Sequence, residues 1–529
     1  MNTDKKTSEM ETENVLTQDA KRGTQDSLWL LSCVLVTAIA TFLRFFWLEL
    51  KPLHHDEGVN GYFLTTLFRE GIYKYDPANY HGPDLYYIAL FFTKIFGLNT
   101  LSIRWSVAIF GVLIVILGFF LKNSNGKTGS LFSALILAVS PGMVFISRYF
   151  IHEIIFVFFS LAIVVAIVFF IEKRKAGIFA IAWTSLLLMI CFVPSALNLA
   201  TAAGTKVALT ANPETNILIF RIVFLLVEAV LVFFVMRMLL AWEDGRPIYL
   251  ILASASAVLL FATKETAFIT LGTMLIACGC VWLWRKIYGA AFGEFKENNL
   301  EPTALTWKNF RAGLGDNINL ILVVAAVSFT FIYVGILFFS SFFTYAEGVQ
   351  KAFEAYAIWT KTGTKDHTQN SFWAYAKWGM KVESPIMILS ALGCLIALFK
   401  ARHRFAVFAA FWAFGMFAAY TIIPYKTPWL ALSFLLPMCI IAGYGIGEMF
   451  RDKQIAVKIL GGILAVCATG VLSYQTYQAN FVRYDDEEMP YVYAHTKREF
   501  LDLIKQIEYY AEKSGKGKES TVEIVSPDY

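Results

Sequence analysis

Residues 28–47 read LWLLSCVLVTAIATFLRFFW, and residues 54–83 read HHDEGVNGYFLTTLFREGIYKYDPANYHGP. The first stretch is apolar and long enough to cross the roughly 30 Å hydrocarbon layer of a bilayer as a helix. The second gathers two adjacent carboxylates (Asp56, Glu57), three histidines (His54, His55, His81) and several tyrosines into one connection before the next apolar run. The alternation of these two kinds of sequence decides the fold.

Of 529 residues, 57% are hydrophobic and 16% charged, against about 45–50% and about 25% in soluble domains. Apolar runs of about 18 residues or more recur along the whole chain, as in a polytopic helical membrane protein. A soluble globular fold is excluded, because no water-surrounded core could hold so many uninterrupted apolar segments. The formal charge of +5 does not indicate nucleic-acid binding, since most Lys and Arg stand at the ends of apolar runs, where membrane topology places them. The seven cysteines (Cys33, Cys191, Cys278, Cys280, Cys394, Cys439, Cys467) fall within apolar runs and read as reduced packing residues. The Cys278–Cys280 pair has no partner motif for a metal. The first apolar stretch is too long for a cleavable signal peptide and lacks a small-residue cleavage site.

The expected fold class is therefore all-α and polytopic, with about thirteen transmembrane helices. They fall near 28–47, 101–121, 129–147, 153–171, 177–196, 216–240, 248–263, 266–284, 317–341, 384–399, 405–423, 428–447 and 455–477. Residues 1–26 are polar and read as a disordered cytoplasmic N-terminus. Residues 27–477 form the membrane domain, with 48–100 as its first external loop. Within that loop 84–97 is too short to span and reads as an interfacial helix. Lys122/Lys127, Lys173/Arg174/Lys175, Arg237/Arg246, Arg285/Lys286, Lys400/Arg402/Arg404 and Arg451/Lys453 make every second connection basic, which puts these connections and the N-terminus inside. The longer external loops are then 48–100, 197–215 and 342–383, the last rich in aromatics (Trp359, Phe372, Trp373, Tyr375, Trp378) that suit headgroup level. Gly443, Gly445 and Gly447 suit close helix packing. Residues 478–529 form an external extension. Its 495–513 part carries Phe500, Leu503, Ile504, Ile507 and Ala511 on one helical face, and TVEIV (521–525) reads as a strand. One helix and one strand cannot bury a core, so the extension reads as the incomplete beginning of an α/β domain.

Four constellations fall on the external face under this topology. In the first, Asp56–Glu57, Asp56 precedes an amphipathic stretch (Val59, Tyr62, Phe63, Leu67) that ends near Gly71. Capping that helix is the plain structural reading. With His54, His55 and His81 beside it, the pair also suits a general base or a cation ligand. The second is Arg148 to His152–Glu153, an ion pair anchoring a turn or a second acidic element facing Asp56. The third is Lys264–Glu265, a local charge pair or a phosphate-binding lysine. The fourth is Tyr425-Lys426-Thr427-Pro428-Trp429, where interfacial snorkelling of Lys426 competes with the same role. Isolated charges at membrane depth are functional candidates by default.

HHDEGVNGYF, YHGPDLYYIALFF, SRYFIHEIIF, FATKETAFI, YKTPWLAL and MPYVYAHTKREFLDLI together resemble the C-type integral-membrane glycosyltransferases. The resemblance is to the protein O-mannosyltransferase and lipid A aminoarabinose transferase group, in the bacterial and archaeal branch sometimes labelled flippase-associated. It runs from about residue 54 to the end. It implies a glycosyltransferase moving a hexosyl or pentosyl unit from a polyprenyl-phosphate-linked donor to a lipid, glycan or protein acceptor, at the external or periplasmic face of the inner (cytoplasmic) membrane. The first-loop acidic residue of the family maps to Asp56 as base, with Glu57 beside it. Lys264, Lys426 and Arg148 are the cations available for the donor phosphate. His54, His55, His81, His152, Glu153, Glu265 and Tyr425 are expected contacts to substrate or cation. Related oligosaccharyltransferases carry two carboxylates where this chain has His152–Glu153, so a divalent cation on Asp56 and Glu153 stays an open expectation; no other cofactor is implied. Single displacement with the phosphate leaving would invert the sugar carbon.

The alternative is a lipid-linked sugar transporter or flippase component without catalysis. That would call for inverted repeats and broken helices at the midplane, whereas no internal repeat is visible and the polar residues cluster at one face. Single cysteines introduced near positions 125 and 360 are expected to label from opposite sides of the membrane; labelling from one side would overturn the topology.

Overall fold

The computed structural model describes residues 26–79, 81–241, 246–292, 306–363, 371–400, 404–493 and 495–523. Except for Asp26, the N-terminal segment expected to be disordered lies outside the described residues. In chain order the helices are α1 (Asp26–Leu50), α2 (His55–Glu70), α3 (Asp84–Phe96), α4 (Thr100–Phe120), α5 (Lys122–Asn125), α6 (Lys127–Val139), α7 (Pro141–Ser147), α8 (Glu153–Ile171), α9 (Ile178–Lys206) and α10 (Pro213–Ala241). There follow α11 (Ile248–Thr263), α12 (Ala267–Phe292), α13 (Trp307–Gly313), α14 (Asn317–Phe339), α15 (Glu347–Gly363) and α16 (Ala374–Val382). The last are α17 (Ser384–Lys400), α18 (Arg404–Ile422), α19 (Leu432–Arg451), α20 (Ile455–Tyr477) and α21 (Phe500–Lys513).

The chain is an all-α polytopic bundle. Ten helices among the described residues are long and apolar enough to cross a membrane, or up to twelve if each of two bent pairs counts as one span. The expected thirteen is not reached, because α11 has only 16 residues. At 1.5 Å per residue it rises about 24 Å, short of the full hydrocarbon thickness. The expected continuous span 129–147 is a pair, α6 and α7, bent by 57°. Pro141 cannot continue α6, and Ser140 caps α7 by accepting from the Met143 N–H. The second bent pair, α16 and α17, turns by 108° at Glu383.

Burial sorts the helices. The whole apolar window of Pro428–Arg451 is buried, and α19 packs against α6, α17, α18 and α20. Its glycines allow this. A Cβ on Gly443 would lie 1.9 Å from Ser133 Oγ and 2.4 Å from Gly129 O, and one on Gly445 would lie 2.9 Å from Gly393 Cα. Small residues at such crossings let backbones approach closely. α8 is the second central helix, between α4 and α11. By contrast α10 packs mainly on α9, and few of its residues are fully buried.

The connections depart from expectation in four places. Loop 197–215 is largely helix, since α9 runs to Lys206 and α10 starts at Pro213. The buried stripe of α2 is Glu57, Asn60, Leu64 and Leu67, while Val59 and Tyr62 are exposed; polar side chains take the inner face there. Cys278 and Cys467 are exposed on apolar helices, and only Cys33, Cys191 and Cys439 are buried. In the extension α21 forms, but residues 521–523 are not a strand, and no strand occurs among the described residues; the rest of the expected strand lies outside them.

Gly443→Val would drive a branched side chain into Ser133 and Gly129. Overpacking of this kind costs about 1–3 kcal/mol, so the purified variant is expected to melt several degrees below wild type. An unchanged melting temperature would show that the α6–α19 crossing yields without cost.

Candidate active site

The first loop is set by its cap. His54, and not Asp56, is the N-cap of α2: its Nδ1 accepts from the Asp56 N–H at 2.9 Å, and its own N–H donates to Glu57 Oε2 at 3.1 Å. The αL residue Gly71 closes the helix. Glu57 turns inward. Arg104 Nε and Nη2 donate to its two oxygens at 2.8 and 2.6 Å, and the Phe150 N–H donates at 2.9 Å. Burial alone would raise this carboxyl, but the Arg104 charge and these donors hold it below the usual range. Glu57, expected beside the base, is therefore fully buried and committed to Arg104. With Glu57 turned inward and the cap supplied by His54, the Asp56 carboxylate is left facing out, 37% exposed.

Asp56 opens into a cavity of about 480 Å³ at one end of the bundle. The wall gathers His55, Asp56 and Asn60 from α2, His81 from the HGP turn, His152–Glu153 from the start of α8, Lys264–Glu265 from the α11–α12 turn, and Tyr425 from the turn after α18. Lys264 Nζ donates to Glu153 Oε1 at 2.5 Å, with both groups buried. Burial opposes the Lys264 charge, yet Glu153 raises its value, so the lysine stays charged. His81 Nδ1 stands 3.5 Å from Glu265 Oε2, and its ring centroid lies 4.9 Å from that of His152. The His152 Nε2–H donates to Gly82 O at 3.1 Å. Burial, then the neighbouring His81 and Lys264, push the His152 imidazole well down, so it is neutral. The HGPD turn is locked against the end of α11: the Gly82 N–H donates to Thr263 O at 3.0 Å, and Thr263 Oγ1 donates to Asp84 at 2.6 Å. A Cβ on Gly82 would fall 1.8 Å from Ala262 O, so only glycine fits.

Two expected phosphate ligands point elsewhere. Arg148 donates to Leu43 O, Phe46 O and Trp47 O at 3.0, 2.6 and 2.8 Å, at the end of α1. Lys426 donates to Tyr420 O, Thr421 O and Ile423 O at 3.1, 2.8 and 2.7 Å, at the end of α18. Neither lines the cavity; each neutralises the carbonyl end of a helix, where no further helical N–H is available. His54 is likewise buried and does not line the cavity. Trp429 of the fourth constellation lines the cavity, and so do Trp359, Tyr420 and Tyr493, which no motif in the sequence marks for it. Aromatic clusters near span ends, Trp359 among them, ordinarily signal headgroup anchoring. Asp56 and Glu153 do not make a cation site with the residues present, since the Lys264 ammonium occupies Glu153. Among the described residues no three His, Cys, Asp or Glu side chains converge as metal ligands.

Burial lifts the Asp84 carboxyl to about 7 against the pull of Thr263 and a backbone N–H. A carboxyl raised on folding holds its proton more tightly in the folded state. Its stabilising contribution is full below about 3.9, the ordinary value, and is lost as pH rises toward about 7. Asp84→Asn imitates the protonated form. It is expected to flatten the fall in melting temperature between about pH 4 and about pH 7; an unchanged slope would mean that Asp84 does not titrate there.

Residues 80–237 match the family described as dolichyl-phosphate-mannose-protein mannosyltransferase. No curated protein matches the chain by sequence. Among solved structures, ArnT from Cupriavidus metallidurans in the apo state is similar at a TM-score of 0.48 and 11% identity, covering 88% of this chain and 78% of that one. The Archaeoglobus fulgidus oligosaccharyltransferase in its apo form gives 0.49 and 12%, covering 95% and 61%. The chain thus spans less than two thirds of the length of that oligosaccharyltransferase. ArnT from Cupriavidus metallidurans bound to undecaprenyl phosphate gives 0.45 and 15%, covering 87% and 74%. The chain is similar to the C-type integral-membrane glycosyltransferases, and over residues 80–237 it matches their dolichyl-phosphate-mannose-protein mannosyltransferase family.

Proposed function

We propose that this chain transfers a sugar from a polyprenyl-phosphate-linked donor to an acceptor hydroxyl at the outer face of the cell membrane, with Asp56 as general base. The observation that carries this reading is the single cavity holding the Asp56 carboxylate together with the Lys264 ammonium and three imidazoles. The lipid-phosphate donor is suggested by the family matched over residues 80–237. The outer face is supported by the basic connections, such as Lys122/Lys127 and Lys173/Arg174/Lys175, which stand at the opposite ends of α4 and α8 from the cavity.

The chemistry is a single displacement. The acceptor oxygen bonds to the anomeric carbon as the bond from that carbon to the phosphate oxygen breaks. The hydroxyl proton passes to Asp56, and polyprenyl phosphate leaves with the electron pair. Glu153 engages one of the three N–H donors of Lys264, and the others are of the right type for a phosphate oxygen. Positive charge there favours the developing phosphate dianion. His81 and His55 add ring N–H donors at the cavity wall. Trp359, Trp429 and Tyr493 offer flat apolar walls against the ring faces of a sugar.

General-base help is worth about 10²–10⁴-fold. Because His54 is the cap, Asp56→Asn leaves the capping interactions in place and removes the base. Purified Asp56→Asn is expected to lose transfer by about that factor while keeping its melting temperature. Wild-type transfer by the folded variant would remove Asp56 from this role.

A further inference from the structure

The chain stays against the bundle after its last span. After α20 the chain runs through a π-helical turn (Gln478–Val482) and then lies back across the cavity end of the bundle as residues 484–493. Lys381 Nζ donates to Glu488 O at 2.5 Å. Tyr491 Oη donates to Glu383 Oε1 at 3.0 Å, and its ring sits where a Cβ on Gly142 would fall, 2.4 Å away. Glu383 is fully buried in the bend between α16 and α17, and the same oxygen accepts from Ser140 Oγ at 3.0 Å and the Gly142 N–H at 2.7 Å. One carboxylate therefore fastens this segment to both bent helix pairs. Two residues on, the Tyr493 ring packs edge-on against Trp429 with centroids 5.6 Å apart, both lining the cavity. The Tyr493 carbonyl accepts from His54 Nε2–H at 2.8 Å.

That last bond matters because His54 is used at both ring nitrogens. With Nε2 donating to Tyr493 O, Nδ1 is the acceptor that the Asp56 N–H requires, and Tyr149 Oη also lies against Nδ1. Buried to 3% exposure, the ring has two fixed ends, the strap on one side and the first turn of α2 on the other.

We infer that residues 484–493 are a strap that positions Asp56, with Glu383 and His54 as its positioning residues: Glu383 holds the strap through Tyr491, and the strap holds the α2 cap through Tyr493 O and His54. The inference rests on the reading of Asp56 as the base. Its own evidence is the chain of contacts from the break in one helix pair to the first turn of another. The strap makes the part of the chain beyond the last span a component of the cavity.

Two substitutions break the strap at different links. Tyr491→Phe removes the hydroxyl on Glu383 and keeps the ring. His54→Asn keeps a good cap acceptor but is too short to reach Tyr493 O. Two readouts score them. Hydrogen exchange at the Asp56 amide is measured first, without any substrate; it should rise in Tyr491→Phe, although that change lies far along the chain from α2. The transfer assay follows, with kcat expected to fall about threefold to tenfold in each variant, as for a lost hydrogen bond, and donor KM to stay within about twofold. The double variant should be no worse than the more damaged single one, because both cut one tether. Unchanged exchange at Asp56 in Tyr491→Phe would overturn the inference, as would additive losses in the double variant. Failure of the base reading looks different: Asp56→Asn would then transfer normally, while the exchange measurement would still report whether the strap holds α2.

Discussion

One buried carboxylate sets the geometry of the cavity. Glu57 accepts from Arg104 twice, from the Phe150 N–H and from the His54 N–H, so four donors from three segments converge on it. Arg104 also donates to Leu48 O, Lys51 O and Pro52 O, which ties the end of α1 to α4. A buried ion pair gives little net stability over an apolar pair of similar shape. Its effect here is to fix register: α2, the α7–α8 turn and the start of α4 can meet in only one way that satisfies every donor and acceptor. Asp56 is adjacent in sequence and points the other way, so the orientation of the exposed carboxylate follows from that of the buried one.

A related constraint governs the cations. Lipid cannot satisfy a backbone carbonyl, and the last turn of every helix leaves several unpaired. Buried cations do much of this work: Arg44 donates to Leu137 O and Ala138 O at the end of α6, Arg148 at the end of α1, Arg246 to Phe170 O at the end of α8, and Lys426 at the end of α18. An isolated cation at membrane depth is a functional candidate because it is expensive. In Arg148 and Lys426 the expense is met by helix carbonyls. Lys264 differs in that its partner is a carboxylate on another helix and the pair faces a cavity.

The cavity is assembled from segments far apart in the chain, joined inside the site by the Lys264–Glu153 pair and registered from behind by contacts outside it. The HGPD turn is registered by Thr263 and Ala262, the α8 start by the Phe150 N–H on Glu57, and the α2 start by the strap. Such second contacts keep groups in place when the cavity fills, which is where rate enhancement by positioning originates. An Asp84 carboxyl raised to about 7 sits in one of these contacts, which links the turn's integrity to pH.

Much of this protein was legible in its sequence. Apolar length and the basic connections identified a helical membrane bundle. Each expected span has a helix over it, because the requirement that backbone polar groups pair within the segment leaves no other structure. The site-bearing segments were legible as well, since polar clusters stand out against hydrocarbon-soluble sequence: Asp56, His81, His152, Glu153, Lys264 and Glu265 do line one cavity. The direction in which each side chain points was not legible. Asp56 and Glu57 are neighbours of the same type, and Arg148, Lys264 and Lys426 all read as lone charges at turns. The helix phase of α2 and the positions of unpaired carbonyls decide which face the cavity; for Glu57, Arg148 and Lys264 the deciding partners lie tens to more than a hundred positions away, while Lys426 turns back onto the end of its own preceding helix. The return of residues 484–493 across the cavity was likewise decided by packing, whereas the break at Ser140–Pro141 has a local signal in the cap and the proline that follows it. Sequence reports what each segment must avoid exposing; only the assembled structure reports which neighbour satisfies it.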